Sequence, residues 1–341
     1  MLLSRPSKFP LLKLPWLCIK CVVQNSDLFD IIYFATISNR TRRIVRSSNY
    51  PLKEIDIPNG SKHICMVDKK SWHFTSRMYG CDVPLVLQRN SSPIPTCRNF
   101  NNWRGNNLYS YTAGDTLDAM KMVIEFMINV FGCAIKTVFV DGNTLSELLG
   151  LGIRSVKELF IYEAERGNIK DLKYLLENVK VTDRCVFNAP IPENFHCEPQ
   201  IFKCRRLSFM HRNSADWVTL ELLCQFDVPQ LNFRCHRFSE EDIVSYVTYW
   251  FNSENRKLDY LFVSFGIPLT MENFKIDHLN PMPFCEKRRN RCPFVGGWED
   301  TDISSGIDII REDGLLATFF VKPTAILFYI WHKRFLDAVR Y

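Results

Sequence analysis

The spacing of apolar residues in the first fifty positions predicts three short helices. Apolar side chains recur there at steps of three and four, the period of one helix face. The apolar face of the first helix contains Leu14, Leu17, Cys18, Cys21 and Val22. The second helix is predicted to begin after Asp27 and the third, which is basic, after Asn39, since both residues cap helices well. Three helices of this size carry more apolar surface than they can bury against one another, which favours a docking module.

A repeat of apolar triplets predicts a parallel sheet between residues 138 and 263. The triplets VFV, LFI, CVF, LSF, LNF and LFV begin at Val138, Leu159, Cys185, Leu207, Leu231 and Leu261. Capped helices opened by Asn168, Ser214 and Ser239 are predicted between several of them. Strand–helix units of 21 to 30 residues are expected to stack as in leucine-rich repeats, with all helices on one side. The regular Asn of such repeats is missing, so an ordinary open α/β sheet remains the alternative.

The stretch between these two regions is expected to be β-rich and irregular. Residues 89–107 contain many Asn, Ser and Pro and are predicted to form a loop or tether. A long amphipathic helix is then predicted to begin at Asp115 or Thr116 and to end at Gly132.

Near the C-terminus, Glu312-Asp313-Gly314 lies between two apolar runs, which is a strong hairpin signal. The hairpin is expected to cover the open end of the strand–helix stack, which would otherwise expose a bare edge. The predicted fold class is therefore mixed α/β. Its segments are three helices in 1–50, a β-rich connector in 51–115, a degenerate leucine-rich-repeat-like domain in 116–270, and a closing hairpin and cap in 271–341.

Charge and cysteine content narrow the compartment and the partners. The net charge of +6 over 341 residues is modest, and the basic residues form short groups near positions 40–46, 203–206 and 287–291. Solvated surface is the favoured interpretation, so a nucleic-acid partner is not expected. The 13 cysteines are odd in number and scattered, which indicates reduced thiols in the cytoplasm or nucleus.

No membrane span, metal site or catalytic motif is predicted. Lysines interrupt the N-terminal apolar run, and the run at 315–331 contains Lys322 and Pro323. Cys18 and Cys21 form a CxxC, but packing is favoured over zinc because no second pair lies nearby. The other metal candidates are Cys285, Cys292, His278 and His332. Since no phosphate loop or nucleophile elbow occurs, we expect no cofactor and no activity of the chain's own.

The order of residue types in positions 9–48 resembles the F-box. A Leu14-Pro15 opening precedes an apolar helix, a second helix led by Asp27, and Ser38-Asn39-Arg40 before a basic stretch. The segment is most similar to the F-box of a large nematode family that also carries an F-box-associated domain of the second type.

Two further stretches extend this resemblance. In residues 214–265, Ser239 leads an acidic cap, the following helix ends near Trp250, and a strand containing Leu-Asp-Tyr-Leu comes next. The string DIIREDGLLATF, which begins at Asp308, resembles the hairpin that closes proteins of the same family.

The resemblance implies docking onto the Skp-type adaptor of a cullin–RING ubiquitin ligase, by recognition of apolar helix anchors. The expected anchors are Leu14, Pro15, Leu17, Ile19, Val22, Leu28 and Ile32. The chain is then expected to be the substrate-recognition subunit of a Skp–cullin–F-box ligase, with the C-terminal domain binding a target protein. The alternative is a non-ligase interaction module with the same repeat-like binding domain.

Overall fold

The computed structural model describes residues 11–52, 54–58, 64–67, 70–75, 84–89, 92–99, 107–111, 115–141, 145–162, 169–234, 237–285, 291–292 and 301–332. The chain divides into two compact units, one of residues 1–137 and 150–152, the other of residues 138–149 and 153–341. The first contains the N-terminal helices and a mostly antiparallel sheet, and the second is built on parallel strands. The fold is mixed α/β, as the sequence predicted.

The three predicted N-terminal helices are present, each ten residues long. After a short 3₁₀ turn at Leu11–Lys13 come α1 (Trp16–Asn25), α2 (Leu28–Ile37) and α3 (Asn39–Ser48). The Asp27 carboxylate caps α2 by accepting a hydrogen bond from the backbone N–H of Phe29 at 2.9 Å. The cap of α3 is Ser38 rather than the predicted Asn39, because the Ser38 hydroxyl can pair with Thr41 in a reciprocal capping box.

A fourth helix completes the core of these three. Helix α4 (Thr116–Phe131) is capped by Asp115 and ends at Gly132, whose φ of 66° suits a glycine. Buried residues from α1, α2, α3 and α4 form one apolar cluster: Ile19, Val23, Ile31, Ala35, Val45 and Val130. The sequence grouped α4 with the strand–helix segment that follows it. In the structure it shares a core with the N-terminal helices, since three short helices cannot enclose a core alone.

In the connector region of the first unit, the described residues form six short strands. They are β1 (Glu54–Ile57), β2 (Ile64–Val67), β3 (Lys70–Thr75), β4 (Pro84–Arg89), β5 (Ser92–Asn99) and β6 (Asn107–Tyr111). Their order in the sheet is β1-β2-β3-β6-β5-β4, and only β3 and β6 pair in parallel. The predicted loop at 89–107 therefore contains a strand, because pairing with two neighbours outweighs its Pro- and Asn-rich composition.

The apolar triplets all lie in strands. The elements that carry and connect them are β7 (Ala134–Val140), α5 (Leu145–Gly150), β8 (Ser155–Tyr162), α6 (Ile169–Asn178), β9 (Lys180–Asn188), β10 (Arg206–Phe209), α7 (Leu220–Gln225), β11 (Gln230–Arg234), α8 (Glu240–Asn252) and β12 (Tyr260–Ser264). A 3₁₀ turn at Pro199–Ile201 follows β9. Strands β8 to β12 are parallel neighbours in chain order, as predicted.

The register of these strands aligns the triplets with one another. Their first residues, Leu159, Cys185, Leu207, Leu231 and Leu261, are direct partners across the five strands. The third residues of the central triplets are Phe187, Phe209 and Phe233, whose rings stack with centroids 5.0 and 4.7 Å apart. This ladder of rings is the centre of the core of the second unit, because all three side chains are fully buried.

One predicted helix begins later than expected. The sequence placed its start at Ser214, but α7 begins at Leu220 and is capped by Thr219, whose hydroxyl accepts a hydrogen bond from Leu222 N–H. The Ser214 hydroxyl instead donates to the carbonyl of His211 at 2.7 Å within a turn. That turn places Trp217 against Phe195 and Phe209 of the core.

The C-terminal region extends the same sheet with antiparallel strands. These are β13 (Met282–Pro283), β16 (Ile307–Ile310), β17 (Leu316–Lys322) and β18 (Ala325–Ile330), while β14 (Arg291–Cys292) and β15 (Thr301–Asp302) form a separate pair. Short 3₁₀ turns lie at Met271–Asn273 and Asp277–Leu279. The predicted hairpin is confirmed by the pairing of β16 with β17. Strand β18 pairs with β12, so the edge of the parallel strands is covered.

A buried arginine ties this hairpin to α8. Arg311 donates to both carboxylate oxygens of Asp313, at 3.1 and 2.6 Å, and to the carbonyl of Asn255 at 2.9 Å. Its guanidinium also lies 5.0 Å from the ring centroid of Trp250, a cation–π distance. Arg256 adds a second, exposed ion pair to Asp313 at 2.9 Å.

Because of this arrangement, we expect the free energy of unfolding to depend on pH in the acid range. The hydrogen bonds from Arg311 lower the pKa of Asp313 from 3.8 to about 2. Because the folded chain has the lower pKa, the ionised carboxylate stabilises the fold above pH 3.8, and this stabilisation is lost as the pH falls towards 2. The stability difference between wild type and Asp313→Asn should therefore narrow below about pH 4.

Urea unfolding of both proteins at several values between about pH 7 and pH 3 measures this difference. Glu312→Gln, which removes an exposed carboxylate from the same turn, is the matched control and should leave the pH dependence unchanged. A difference between wild type and Asp313→Asn that does not vary with pH would contradict the prediction.

Candidate functional site

Helix α1 exposes an apolar stripe on the side opposite its core contacts. Ile19 and Val23 point into the core, whereas Leu17, Cys18, Cys21 and Val22 are exposed. Leu17 is 71% exposed and Val22 is 40% exposed. Large aliphatic side chains exposed together on one helix face are typical of a surface that a partner covers.

A second apolar stripe lies on α2. Tyr33 and Ile37, one helical turn apart, are 50% and 61% exposed, while Leu28, Ile31, Ile32 and Ala35 on the other side are buried. The sequence analysis did not single out these two exposed residues. The signal was present, because positions 33 and 37 fall outside the stripe of positions 28, 31, 32 and 35.

The structure divides the seven predicted anchors into two groups. Pro15, Leu17 and Val22 are exposed and available to a partner. Ile19, Leu28 and Ile32 are buried, and Leu14 is partly buried against the same cluster. Ile19 belongs to the apolar cluster shared by α1 to α4, and all three buried side chains present no surface for docking in this conformation.

The basic cluster of α3 is partly used for packing. The guanidinium of Arg42 lies 5.7 Å from the ring centroid of Phe126 on α4. Arg40 donates to the carbonyl of Leu12 at 3.3 Å, which connects α3 to the 3₁₀ turn before α1. Arg43 and Arg46 are exposed, so two of the four arginines remain solvated surface charges.

In the second unit, α8 has the geometry that its sequence predicts. Ser239 and Asp242 form a capping box, in which Ser239 N–H donates to Asp242 Oδ2 at 2.9 Å and Asp242 N–H donates to Ser239 Oγ at 3.2 Å. Trp250 near its end is buried and meets the ring of Phe328 edge-on at 4.9 Å. Trp250 is therefore a core residue, as expected.

The strands and helices from β10 to β12 coincide with a known family. Residues 194–263 match the family described as F-box associated. This segment is an F-box associated domain. It contains β10, α7, β11, α8 and most of β12, and therefore much of the buried aromatic core of the second unit.

Proteins similar to all or part of the chain come from the nematode Caenorhabditis elegans. The uncharacterized protein F59B2.8 is 22% identical over 364 residues, covering 98% of this chain and 80% of that protein. The E3 ubiquitin-protein ligase hecw-1 is 21% identical over 287 residues, which are 74% of this chain and 22% of that protein. The uncharacterized protein F59B2.9 is 26% identical over 143 residues. No solved structure matches the chain.

The F-box associated domain holds buried cysteines with unreactive thiols. Burial raises the pKa of Cys197 and of Cys204 to about 12, so both thiols are protonated at neutral pH.

Within the described ranges, no group of three or more His, Cys, Asp and Glu side chains is placed to hold a metal ion. Of the metal candidates, Cys292 lies in a strand whose side chains are not described.

The two histidines among those candidates make other contacts. His278 Nε2 lies 2.8 Å from Thr248 Oγ1, and His332 Nε2 lies 2.8 Å from the carbonyl of Leu258.

Across the described part of the chain, none of the helices is long and apolar enough to cross a membrane.

Proposed function

We propose that this protein is the substrate-recognition subunit of a Skp–cullin–F-box E3 ubiquitin ligase. The N-terminal helices are the F-box and bind the Skp-type adaptor, which links the chain to a cullin. The F-box associated domain binds the target protein. The observation that carries this proposal is the exposure of Leu17 and Val22 on a helix whose Ile19 and Val23 are buried in the core.

Two further observations support the proposal. The family that residues 194–263 match is described as F-box associated, and these residues follow the N-terminal helices in the same chain. One of the similar C. elegans proteins is named an E3 ubiquitin-protein ligase. Our proposal gives this chain a non-catalytic role, in which holding the target near the ubiquitin-carrying enzyme raises its effective concentration. We place the protein in the cytoplasm or nucleus, where thiols stay reduced.

The parallel strand–helix segment is, in our proposal, a degenerate leucine-rich-repeat-like domain. Its support is the register that aligns five successive triplets, together with helices that lie between consecutive strands. Such an arrangement leaves one sheet face without helices, which is the face that repeat domains offer to partners.

A binding experiment with the purified full-length chain and the Skp-type adaptor tests the docking role. The variant Leu17→Asp/Val22→Asp places two carboxylates on the exposed stripe without touching the core. We expect wild type to bind, and the double variant to lose about 100-fold in affinity, because two apolar anchors are replaced by charges. Titration calorimetry measures both affinities.

The control is Tyr174→Asp, which puts one such carboxylate on an exposed aromatic site of α6, away from the proposed docking stripe. It should bind the adaptor as wild type does, and circular dichroism should show all three proteins folded. Unchanged affinity in the folded double variant would exclude α1 as the docking helix. A folded wild type without adaptor binding would overturn the ligase proposal, and adaptor binding without copurifying cullin would favour the non-ligase module.

A further inference from the structure

The sheet of the second unit has one apolar face and one mixed face. Alternate residues of β9, β10 and β11 point to opposite sides of the sheet. Phe187, Phe209 and Phe233 point to the side that Trp217 and Phe202 pack against. The residues of these strands that lie an odd number of positions from Phe187, Phe209 and Phe233 therefore point to the other side of the sheet, which we call the polar face.

Two aligned rows of residues form the polar face. One row contains Glu158, Arg184, Arg206, Gln230 and Tyr260, and the next contains Phe160, Val186, Ser208, Asn232 and Phe262. Within each row, consecutive residues are direct partners on neighbouring strands, which lie about 4.8 Å apart. The rows thus bring together residues that are far apart in the sequence.

Two guanidinium groups lie side by side in the first row. Arg184 and Arg206 are register partners on β9 and β10, and both are half-buried. Arg206 Nε donates to Gln230 Oε1 at 2.9 Å, whereas Arg184 Nε is buried without a hydrogen-bond partner. Burial and the neighbouring charge of Arg206 lower the pKa of Arg184. Glu158 is the one acidic residue in the two rows, so positive charge is in excess there.

The second row adds two unpaired polar atoms beside these guanidiniums. Ser208 Oγ and Asn232 Oδ1 are buried and have no hydrogen-bond partner, and the two residues are themselves register partners. Ser208 is 0% exposed and Asn232 is 2% exposed. Buried polar atoms in folded proteins are nearly always paired, so the unpaired Nε of the half-buried Arg184 indicates a ligand that pairs with it. Ser208 and Asn232 lie below the surface that a peptide can reach, and they keep the centre of this face polar.

Aromatic rings flank this polar cluster on one side. Phe139 and Phe160 stack with centroids 4.9 Å apart, and the guanidinium of Arg184 lies 5.2 Å from the centroid of Phe160. Half-buried aromatic rings next to arginine are the composition typical of protein-binding hot spots.

We propose that the polar face binds an anionic segment of the target protein, held by Arg184 and Arg206. The guanidiniums of these two half-buried arginines donate hydrogen bonds to a carboxylate or phosphate group of the bound segment. Carboxylate and phosphate share this recognition, because both accept paired N–H donors from arginine. The identity of the ligand as a target rests on the function proposed above.

Peptide binding to the full-length chain tests this assignment. The probes are three fluorescein-labelled pools of degenerate nonapeptides whose central residue is fixed as phosphoserine, Glu or Gln, and fluorescence anisotropy gives the affinities. We expect at least one anionic pool to bind about 10-fold more tightly than the Gln pool, since a charge-assisted pair of hydrogen bonds is lost with Gln. Preference for phosphoserine alone identifies a phosphorylated target, and equal preference for Glu identifies an acidic one.

Two variants connect this preference to the arginines. Arg184→Gln/Arg206→Gln should abolish the preference for anionic pools. If this double variant does not fold, the single variant Arg206→Gln is used, and it should weaken the preference. The matched control is Lys170→Gln/Arg212→Gln, which removes the same charge from exposed sites outside the sheet. It should keep the wild-type preference.

Some results would overturn the assignment. These are equal binding of all three pools, an unchanged preference in folded Arg206→Gln, and binding of single-stranded RNA with no preference among peptides.

Adaptor binding is measured on the same preparations to separate the two proposals. Loss of the anionic preference with adaptor binding intact assigns the polar face to the target. Anionic preference in a wild type that does not bind adaptor supports the polar face and removes only the ligase role.

Discussion

Replacing Phe209 with alanine should lower the free energy of unfolding by about 4 kcal/mol, the largest single-residue effect we expect. Phe209 is fully buried and stacks between Phe187 and Phe233, with ring centroids 5.0 and 4.7 Å away. It also meets the ring of Trp217 edge-on at 6.1 Å. Alanine leaves a cavity lined by rings that the β-sheet register holds in place, so the surrounding strands cannot close over it.

Urea unfolding followed by circular dichroism and by tryptophan fluorescence measures this loss. Trp217, which lies against the cavity, is one of the seven tryptophans that contribute to the fluorescence. Phe209→Leu keeps most of the volume and should cost about 1.5 kcal/mol or less. Tyr249→Ala removes a half-exposed ring from α8 and should change stability by about 0.5 kcal/mol at most. A loss below about 1 kcal/mol for Phe209→Ala would show that the ring ladder is not the centre of the core.

The second large effect is expected at Arg311. Arg311→Met should cost about 3 kcal/mol, because it removes the buried partner of an ion pair together with the hydrogen bonds that this partner donates. The carbonyls of Trp250 and Asn255 lose the hydrogen bonds from Arg311. Asp313 keeps only the exposed Arg256 and the backbone N–H of Leu315. These contacts join the end of α8 to the C-terminal hairpin, so the loss should appear in unfolding of the second unit.

Arg256→Met is the matched control for Arg311→Met. Both arginines contact Asp313, but the side chain of Arg256 is 70% exposed and that of Arg311 is 4% exposed. Exposed ion pairs contribute little, so Arg256→Met should cost less than about 1 kcal/mol. Equal losses in chemical denaturation of the two variants would contradict the assigned role of the buried guanidinium.

The sequence was sufficient where the signals are local. Asp27, Thr116, Ser239 and Gly314 lie where caps and a turn were predicted, give or take one residue. These signals act over three or four residues, because a capping or turn side chain binds backbone groups of its near neighbours in the sequence. For the same reason the strand at 92–99 was missed, because its pairing partners are distant in the chain.

The candidate docking site was only partly predictable from the sequence. The sequence located it on α1 and named Leu17 and Val22, but it also named Ile19, Leu28 and Ile32, which are buried. A helix that is apolar around most of its circumference does not reveal which side faces its neighbours. That choice depends on where α3 and α4 pack, and α4 begins about ninety residues further along the chain.

By itself, the sequence determined the mixed α/β class, the six strand triplets, the capped starts of α2, α4 and α8, and the C-terminal hairpin, because periodicity, capping and turn chemistry act between near neighbours. Only the tertiary structure decided which apolar side chains of α1 and α2 remain exposed, and that Arg184, Arg206, Ser208 and Asn232 meet on one face. Burial and strand register depend on partners that are remote in sequence, and packing in three dimensions selects them.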